Sequence, residues 1–309
     1  MFMVKLDEIL REVLDIASDP GKMIELIRKA SGYIKDSTRN FVYHKPGVVE
    51  IEKGVNLHII GDLHGDIHSL LTILGDKHEL LGKGSDLLVF LGDYVDRGDY
   101  QVETLAMLLY LKTVFKDQLI LLRGNHEPPS WLIPHPHDFP SVLIEKYGKD
   151  GERVYSEALS LFNMLPVAAY LPGELLMLHG GPPLKVLEAS SFEEAFSIST
   201  GEAGPEMLEE ILWSDPVELN VEFLDSPRGA GVLYGKKVSS KALSLINGKY
   251  IVRSHEMVNG YRLAHDGLVI TVFDAAIPYG LDAIGVVEYL YDSVSNQYKL
   301  NLVKKPPKI

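Results

Sequence analysis

Residues 87–98 read Leu87-Leu88-Val89-Phe90-Leu91-Gly92-Asp93-Tyr94-Val95-Asp96-Arg97-Gly98. An unbroken apolar run followed at once by a polar, Gly-containing turn is the pattern of a strand buried on both faces. The pattern recurs along the chain. Asn56-Leu57-His58-Ile59-Ile60 leads into Gly61-Asp62-Leu63-His64-Gly65-Asp66, and residues 119–122 lead into Arg123-Gly124-Asn125-His126-Glu127. Residues 175–178 lead into His179-Gly180-Gly181, and residues 250–252 into Arg253-Ser254-His255-Glu256. Helical patterns at 102–115 and 151–163 separate some of these strands. Strands alternating with helices indicate parallel pairing and an α/β fold. In such sheets functional groups sit beyond the carboxyl ends of the strands. Here those ends carry Asp, Asn and His, so a site assembled at one sheet edge is expected.

Outward from these strands, Leu6, Ile9, Leu10, Val13 and Ala17 repeat at helical spacing until Asp19-Pro20-Gly21. Met23, Ile24, Ile27, Ala30 and Ile34 form a second amphipathic stretch. The expected organisation is therefore N-terminal helices over residues 1–44, packed on a catalytic domain over 45–305. Residues 283–290 and 298–303 read as two further strands closing a β-rich second half, and Pro306-Pro307 marks a frayed end.

The 309 residues are 46% apolar and 24% charged, the balance of a globular enzyme. No stretch matches the roughly 20 apolar residues a membrane helix needs. Lys5, Asp7 and Glu8 break the order of a signal peptide, and the cytoplasm is the default location. The absence of cysteine excludes disulfides, thiolate metal sites and Cys nucleophiles. A formal net charge of -13 opposes binding to nucleic acid and to anionic membranes. An acidic protein that takes a phosphate needs local positive charge, from a cation or from placed arginines.

The strand-end residues Asp62, His64, Asp93, Asn125, His179 and His255 offer only oxygen and nitrogen donors. That set suits Mn, Fe, Zn or Mg rather than thiophilic ions. Asp62 and His64 share a turn and can face one ion, while Asp93 has two carboxylate oxygens with which to bridge two. Two ions about 3.5–4 Å apart clamp the attacking and leaving oxygens of a displacement at phosphorus. Each piece alone has an ordinary reading. A Gly-Asp after a strand is commonly a turn or a cap, and an isolated His58 or His78 is a surface or satisfied core residue. The weight lies in five motifs in fixed order, each placed after a strand.

That series closely resembles the PPP family of metal-dependent serine/threonine phosphatases, to which calcineurin belongs, within the metallophosphoesterase superfamily. The resemblance extends through Leu212-Trp213-Ser214-Asp215-Pro216, Arg228-Gly229 and Thr271-Val272-Phe273, so it covers residues 55–303. It implies a central β-sandwich flanked by helices, four layers αββα, with the metals at one edge. It also implies that Asp62, His64 and Asp93 hold one divalent ion, and that Asp93, Asn125, His179 and His255 hold a second. Manganese is the first expectation, with iron or zinc as alternatives. The family's nucleophile is a metal-bridging hydroxide. By the same resemblance His126 is the general acid for the leaving alkoxide, Asp96 orients it, and Arg97, Arg228 and Asn125 bind the substrate phosphate. The implied substrates are phosphoserine and phosphothreonine proteins; the sequence names no regulatory subunit. The charge puzzle is then resolved, because two divalent ions outweigh the carboxylates that bind them and guanidiniums pair with phosphate oxygens.

The chain departs from the family in three places. Asp66 stands where the well-known eukaryotic members carry Gln, and reads as a turn residue. Pro128-Pro129-Ser130-Trp131-Leu132-Ile133-Pro134-His135-Pro136-His137 is unlike the family sequence. It reads as a solvent-exposed loop rather than a third metal site. Asp274-Ala275-Ala276-Ile277-Pro278-Tyr279 replaces the family's Ser-Ala-Pro-Asn-Tyr-Cys, with the tyrosine displaced by one position. Two rival functions remain open. One is a diadenosine polyphosphate hydrolase of the same superfamily. The other is a non-catalytic binding module, against which the intact ligand set, His126 and Asp96 all speak.

Overall fold

The computed structural model describes residues 6–44, 47–77, 81–82, 84–196 and 204–308; His78 lies outside them. The first half contains α1 (Leu6–Ala17), α2 (Pro20–Ile34), β1 (Phe41–His44), β2 (Val48–Ile51), β3 (Asn56–Ile60), α3 (Ile67–Lys77), β4 (Asp86–Phe90), α4 (Gln101–Val114), β5 (Leu119–Leu121), α5 (Phe139–Tyr147) and α6 (Asp150–Phe162). There follow β6 (Ala168–Leu171), β7 (Leu175–Leu178), α7 (Phe192–Ala195), α8 (Gly204–Trp213), β8 (Asp215–Pro216), β9 (Phe223–Asp225) and β10 (Val232–Tyr234). The chain ends with α9 (Lys236–Ile246), β11 (Tyr250–Arg253), β12 (Tyr261–Ala264), β13 (Val269–Val272), β14 (Ile284–Asp292) and β15 (Gln297–Lys305).

A five-stranded sheet, β15-β14-β3-β4-β5, faces a seven-stranded sheet, β1-β2-β6-β7-β11-β13-β12, and a small β8-β10-β9 sheet stands apart. The expected parallel pairing holds within β3-β4-β5 and within β7-β11-β13. β2 and β6 also pair parallel, while hairpins bring antiparallel neighbours at β6–β7 and β14–β15. The last two strands do not close a separate second half. Strand β14 pairs antiparallel with β3, so the C-terminal hairpin completes the sheet begun by the first motif.

Alternation along each strand builds the layers. Leu57, Ile59, Leu87, Val89, Leu91 and Ile120 point between the sheets and meet Leu175, Met177, Val252 and Ile270. Ile60, Leu88, Phe90 and Leu121 point outward, under Val13, Ile27, Leu105 and Ala158 of the helices. Leu176, Leu178 and Ile251 pack under Val238 and Ala242 of α9 and Ile211 of α8. The result is the four-layer αββα sandwich expected from the sequence. With both faces covered, the strands have no polar side to show, which is why they read as continuous apolar runs. Truncating Leu87, which is fully buried, to alanine costs about 2–5 kcal/mol.

Asp19-Pro20-Gly21 ends one helix and starts the next. The Asp19 carboxylate accepts the Lys22 N–H at 2.9 Å as the N-cap of α2, with Pro20 in the first turn. Helices α1 and α2 lie on α4, and α2 also on α6, sharing one continuous core. The 44/45 division falls within a hairpin, since β1 pairs with β2. Among the described residues no helix is long and apolar enough to cross a membrane.

Candidate active site

Strand register sets the site. Ile60 of β3 lies opposite Phe90 of β4, and Phe90 opposite Leu121 of β5, so the turns that follow start side by side. The β7 and β11 turns arrive from the facing sheet. Both sheets therefore supply the site, where a single sheet edge was expected. Asp62 makes a parallel bridge to Phe273 that joins the two rims.

The turns are tightly folded. His64, Asp93, Asp96, Arg97 and His255 all have left-handed φ values, of 44°, 56°, 68°, 78° and 71°. Non-glycine residues seldom adopt that region, and such strain persists where surrounding bonds over-determine it. Glu127 is one such staple. Fully buried, it accepts the N–H groups of Asp93 (2.8 Å), Tyr94 (2.8 Å) and Gly124 (3.0 Å). Gly92 and Gly124 let the two turns meet, since a Cβ on Gly92 would stand 2.3 Å from the Gly124 nitrogen. Sequence reasoning assigned Glu127 no role. Its signal was a carboxylate closing a glycine-bearing turn, which needs its N–H groups bound.

The six proposed donors converge. His64 Nδ1 donates to the Val95 carbonyl at 2.9 Å, and His179 Nδ1 to the Leu91 carbonyl at 3.1 Å. A carbonyl only accepts, so each Nδ1 carries a proton and each Nε2 is the nitrogen that faces inward. His64 Nε2 lies 3.6 Å from Asp62 Oδ2 and 3.4 Å from Asp93 Oδ2; His179 Nε2 lies 3.3 Å from the same Asp93 Oδ2. Asp93 Oδ1 is already engaged by the His126 N–H at 2.8 Å. The bridging reading of one carboxylate oxygen per ion therefore changes, because Oδ2 alone faces both sides. Asp62 Oδ1 is likewise taken, by the Ser254 hydroxyl and the His255 N–H.

Asn125 Oδ1 sits 2.9 Å from His179 Nε2 and 3.0 Å from His255 Nδ1. These are electron-pair donors facing one another, as around a cation. Turned over, the amide would donate to all of them, so its orientation depends on what fills the space. His255 Nε2 is buried with no hydrogen-bond partner, in keeping with a ring placed for its other nitrogen. The donor set fits two divalent ions, the cofactors the family implies.

Electrostatics supports the same arrangement. Burial alone would lower the His64 pKa, but Asp62 and Asp93 override it and raise it to about 9, putting a proton where a cation would sit. Burial, aided by His179, Arg228 and Arg253, pushes His255 down to about 3, leaving a neutral ring able to ligate. Asp93 is held well below the usual carboxylate range, because the surrounding imidazoles overcome its burial.

His126 lies within reach of His64 and Asp93, but its Nδ1 is bonded to Asp96 Oδ2 at 2.5 Å. Burial lowers the His126 pKa, against the upward pull of Asp93 and Asp96. Asp96 stays ionised despite burial, because the hydrogen bonds of His126 and His137 outweigh it. The cavity, about 470 Å³, is lined by Asp62, Asp93, Asn125 and His126 together with Arg97 and Arg228. Arg228 Nε donates to Asp215 at 2.6 Å, and Asp215 is held by fully buried Arg253 at 2.8 Å. Leu132, Ile133, Trp213 and Met257 form an apolar rim.

The three departures resolve differently. Asp66 caps α3 through Ser69 N–H (2.9 Å) and also accepts the Ile277 N–H (2.8 Å), a structural use in line with its turn reading. Tyr279, though displaced in sequence, lines the cavity with Arg97 and sets its ring 5.6 Å from that of His64. The 128–137 loop is not simply solvent-exposed. His135 and Pro136 are exposed, but the His137 side chain is only 6% exposed and donates to Asp96 Oδ2 at 2.7 Å. Arg97 Nη1 also donates to the Pro136 carbonyl at 2.8 Å. Sequence reasoning missed this contact because it joins distant segments. His58, the satisfied core residue of the sequence reading, is buried against Asp86 at 3.1 Å.

Fold and site together define the metallophosphoesterase class. The chain belongs to the calcineurin-like phosphoesterase family, whose model matches residues 55–259. It is 30% identical to the serine/threonine-protein phosphatase 4 catalytic subunit of Kluyveromyces lactis, over 96% of this chain and 92% of that one. It is 34% identical to the corresponding subunit of Eremothecium gossypii, over 78% and 76%. A probable serine/threonine-protein phosphatase of Encephalitozoon cuniculi is 33% identical over 87% of this chain, which spans only 56% of that longer protein. Among solved structures, a protein serine/threonine phosphatase from Saccharomyces cerevisiae superposes with a TM-score of 0.77 at 22% identity, over 94% of this chain and 91% of that one, a likeness of fold.

Proposed function

We propose that this chain hydrolyses phosphate monoesters on phosphoserine and phosphothreonine proteins. The observation that carries the reading is one cavity lined by five O/N donors, by His126 and by two arginines, with His179 and the Asp96 partner of His126 buried directly behind them. Asp62, His64 and Asp93 would hold one divalent ion, and Asp93, Asn125, His179 and His255 the other, with manganese first and iron or zinc taking the same donors. When bound, the ions supply positive charge for the phosphate and acidify the attacking water.

The chain's own residues do the rest. Arg97 and Arg228 grip phosphate oxygens through charge-assisted hydrogen bonds, with Asn125 beside them. The anionic Asp96 fixes the His126 ring through Nδ1, so Nε2 faces the departing oxygen. A serine alkoxide is a poor leaving group; with the phosphate dianion bound beside it His126 would act as the imidazolium, holding Nδ1–H on Asp96 and giving its Nε2 proton to the alkoxide. Relatives named as protein phosphatases support protein substrates over a dinucleotide. Side-by-side turnover decides this. A phosphoserine peptide should be hydrolysed far faster than a dinucleoside tetraphosphate, and the reverse order would assign the site to the anhydride.

A further inference from the structure

We propose that His137 is a positioning residue for the acid His126, acting through Asp96; the inference rests on the phosphatase reading above. Asp96 is fully buried and its carboxylate is held at both oxygens. Oδ1 accepts the Phe139 N–H at 2.8 Å. Oδ2 accepts two imidazoles, His126 Nδ1 at 2.5 Å and His137 Nδ1 at 2.7 Å. On its far side His137 Nε2 meets the Tyr155 hydroxyl at 2.8 Å. An ionised Asp96 only accepts, so Nδ1 carries the ring's proton and the neutral ring's Nε2 accepts a hydrogen bond from the Tyr155 hydroxyl.

The chain of bonds thus has a direction: Tyr155 to His137, His137 to Asp96, and His126 to the same Asp96 oxygen. The loop does not need His137 to stay in place. Asp138 already accepts the Arg97 N–H (3.1 Å) and the Gln101 amide (2.8 Å), and Phe139 is fully buried. What the His137 bond adds falls on Asp96. It restrains rotation of the carboxylate and thereby the ring that gives up the proton. Buried networks of this kind hold their members in one arrangement when every partner is satisfied.

The test measures kcat for a phosphoserine peptide and for p-nitrophenyl phosphate, whose phenolate leaves without needing the proton. His137→Phe should lose about tenfold on the peptide and only about twofold on the aryl ester, the scale of one loosened hydrogen bond, with KM and bound metal unchanged. His137→Asn, whose amide N–H can replace Nδ1–H, should restore the peptide rate. Tyr155→Phe should show the same pattern in smaller degree, and it reads the chain even where His137→Phe folds poorly. His126→Asn/His137→Phe should be no slower on the peptide than His126→Asn alone. Equal losses on both esters, no rescue by Asn, or wild-type rates in both His137→Phe and Tyr155→Phe would overturn the positioning role alone. A wild-type chain inactive on the peptide would instead defeat the phosphatase reading, and this inference with it.

Discussion

The turn at 92–98 and the loop at 128–138 meet at Asp96, and they come to that contact in different ways. The turn follows a buried strand and is shaped locally. Gly92 allows the close approach, and Glu127 binds the N–H groups of Asp93 and Tyr94. The loop begins only beyond the turn that follows β5, so no strand end shapes it directly. It is placed by side chains that reach across the chain, His137 to Asp96 and Asp138 to Arg97 and Gln101. Turns on register-matched strands carry the six proposed donors, where small displacements matter most. The loop carries groups that steady them and an apolar rim. Chemistry is thus written where the backbone is over-determined, and its support where side chains decide the path.

The contrast predicts a gradient of effects, steepest in the turns. Asp93→Asn should lose more than about a hundredfold, beyond the range of outer-layer substitutions, because Oδ2 serves both sides. Two tightly bound equivalents of metal in that variant would break the bridging assignment. Next comes His126→Asn, with a loss of about 10²–10⁴-fold on a phosphoserine peptide, the usual worth of acid catalysis. The loss should be much smaller on an aryl ester and metal content unchanged; loss of a metal would make His126 a ligand instead.

Arg97→Ala and Arg228→Ala remove charge-assisted bonds of about 1.5–3 kcal/mol, so inhibition by free phosphate should weaken by roughly 10–150-fold. Undiminished inhibition in both would remove them from the clamp. A further effect reads the first ligand set directly. His64, raised to about 9, must release a proton to bind a metal. Affinity at that site should therefore rise about tenfold per pH unit below 9 and level off above it; a flat profile would show that the ring ligates without displacing a proton. The smallest effect belongs to the exposed residue of the loop, His135. His135→Ala should stay within about twofold, and a loss matching that of His137→Phe would erase the distinction between the two histidines.

The same contrast explains what was legible in the sequence. Each strand followed by its Gly-Asp, Gly-Asn or His-Gly turn was readable because fully buried strands leave an apolar run with a sharp polar end. The six donors could be named for the same reason. The pairing of β14 with β3 was not readable, since hairpin strands carry no mark of the sheet they join. The sharing of the site between two sheets was hidden likewise. The contacts of Glu127 and His137 depend on which N–H groups and carboxylates come to face them, and one chain read alone does not show that. Tyr279 reaches the cavity and the His64 ring despite its shifted position, because the 274–279 segment is tied at Asp274 and Ile277 rather than by spacing.

The central claim is that hydrolysis depends on two ions held by Asp62, His64, Asp93, Asn125, His179 and His255. The most direct measurement titrates Mn²⁺ into chelator-stripped protein while phosphate release from a phosphoserine peptide is followed. The account predicts no turnover in stripped protein and a rate that rises to a plateau at two equivalents of bound metal. Full turnover in verified metal-free protein, or a plateau at one equivalent, would contradict it.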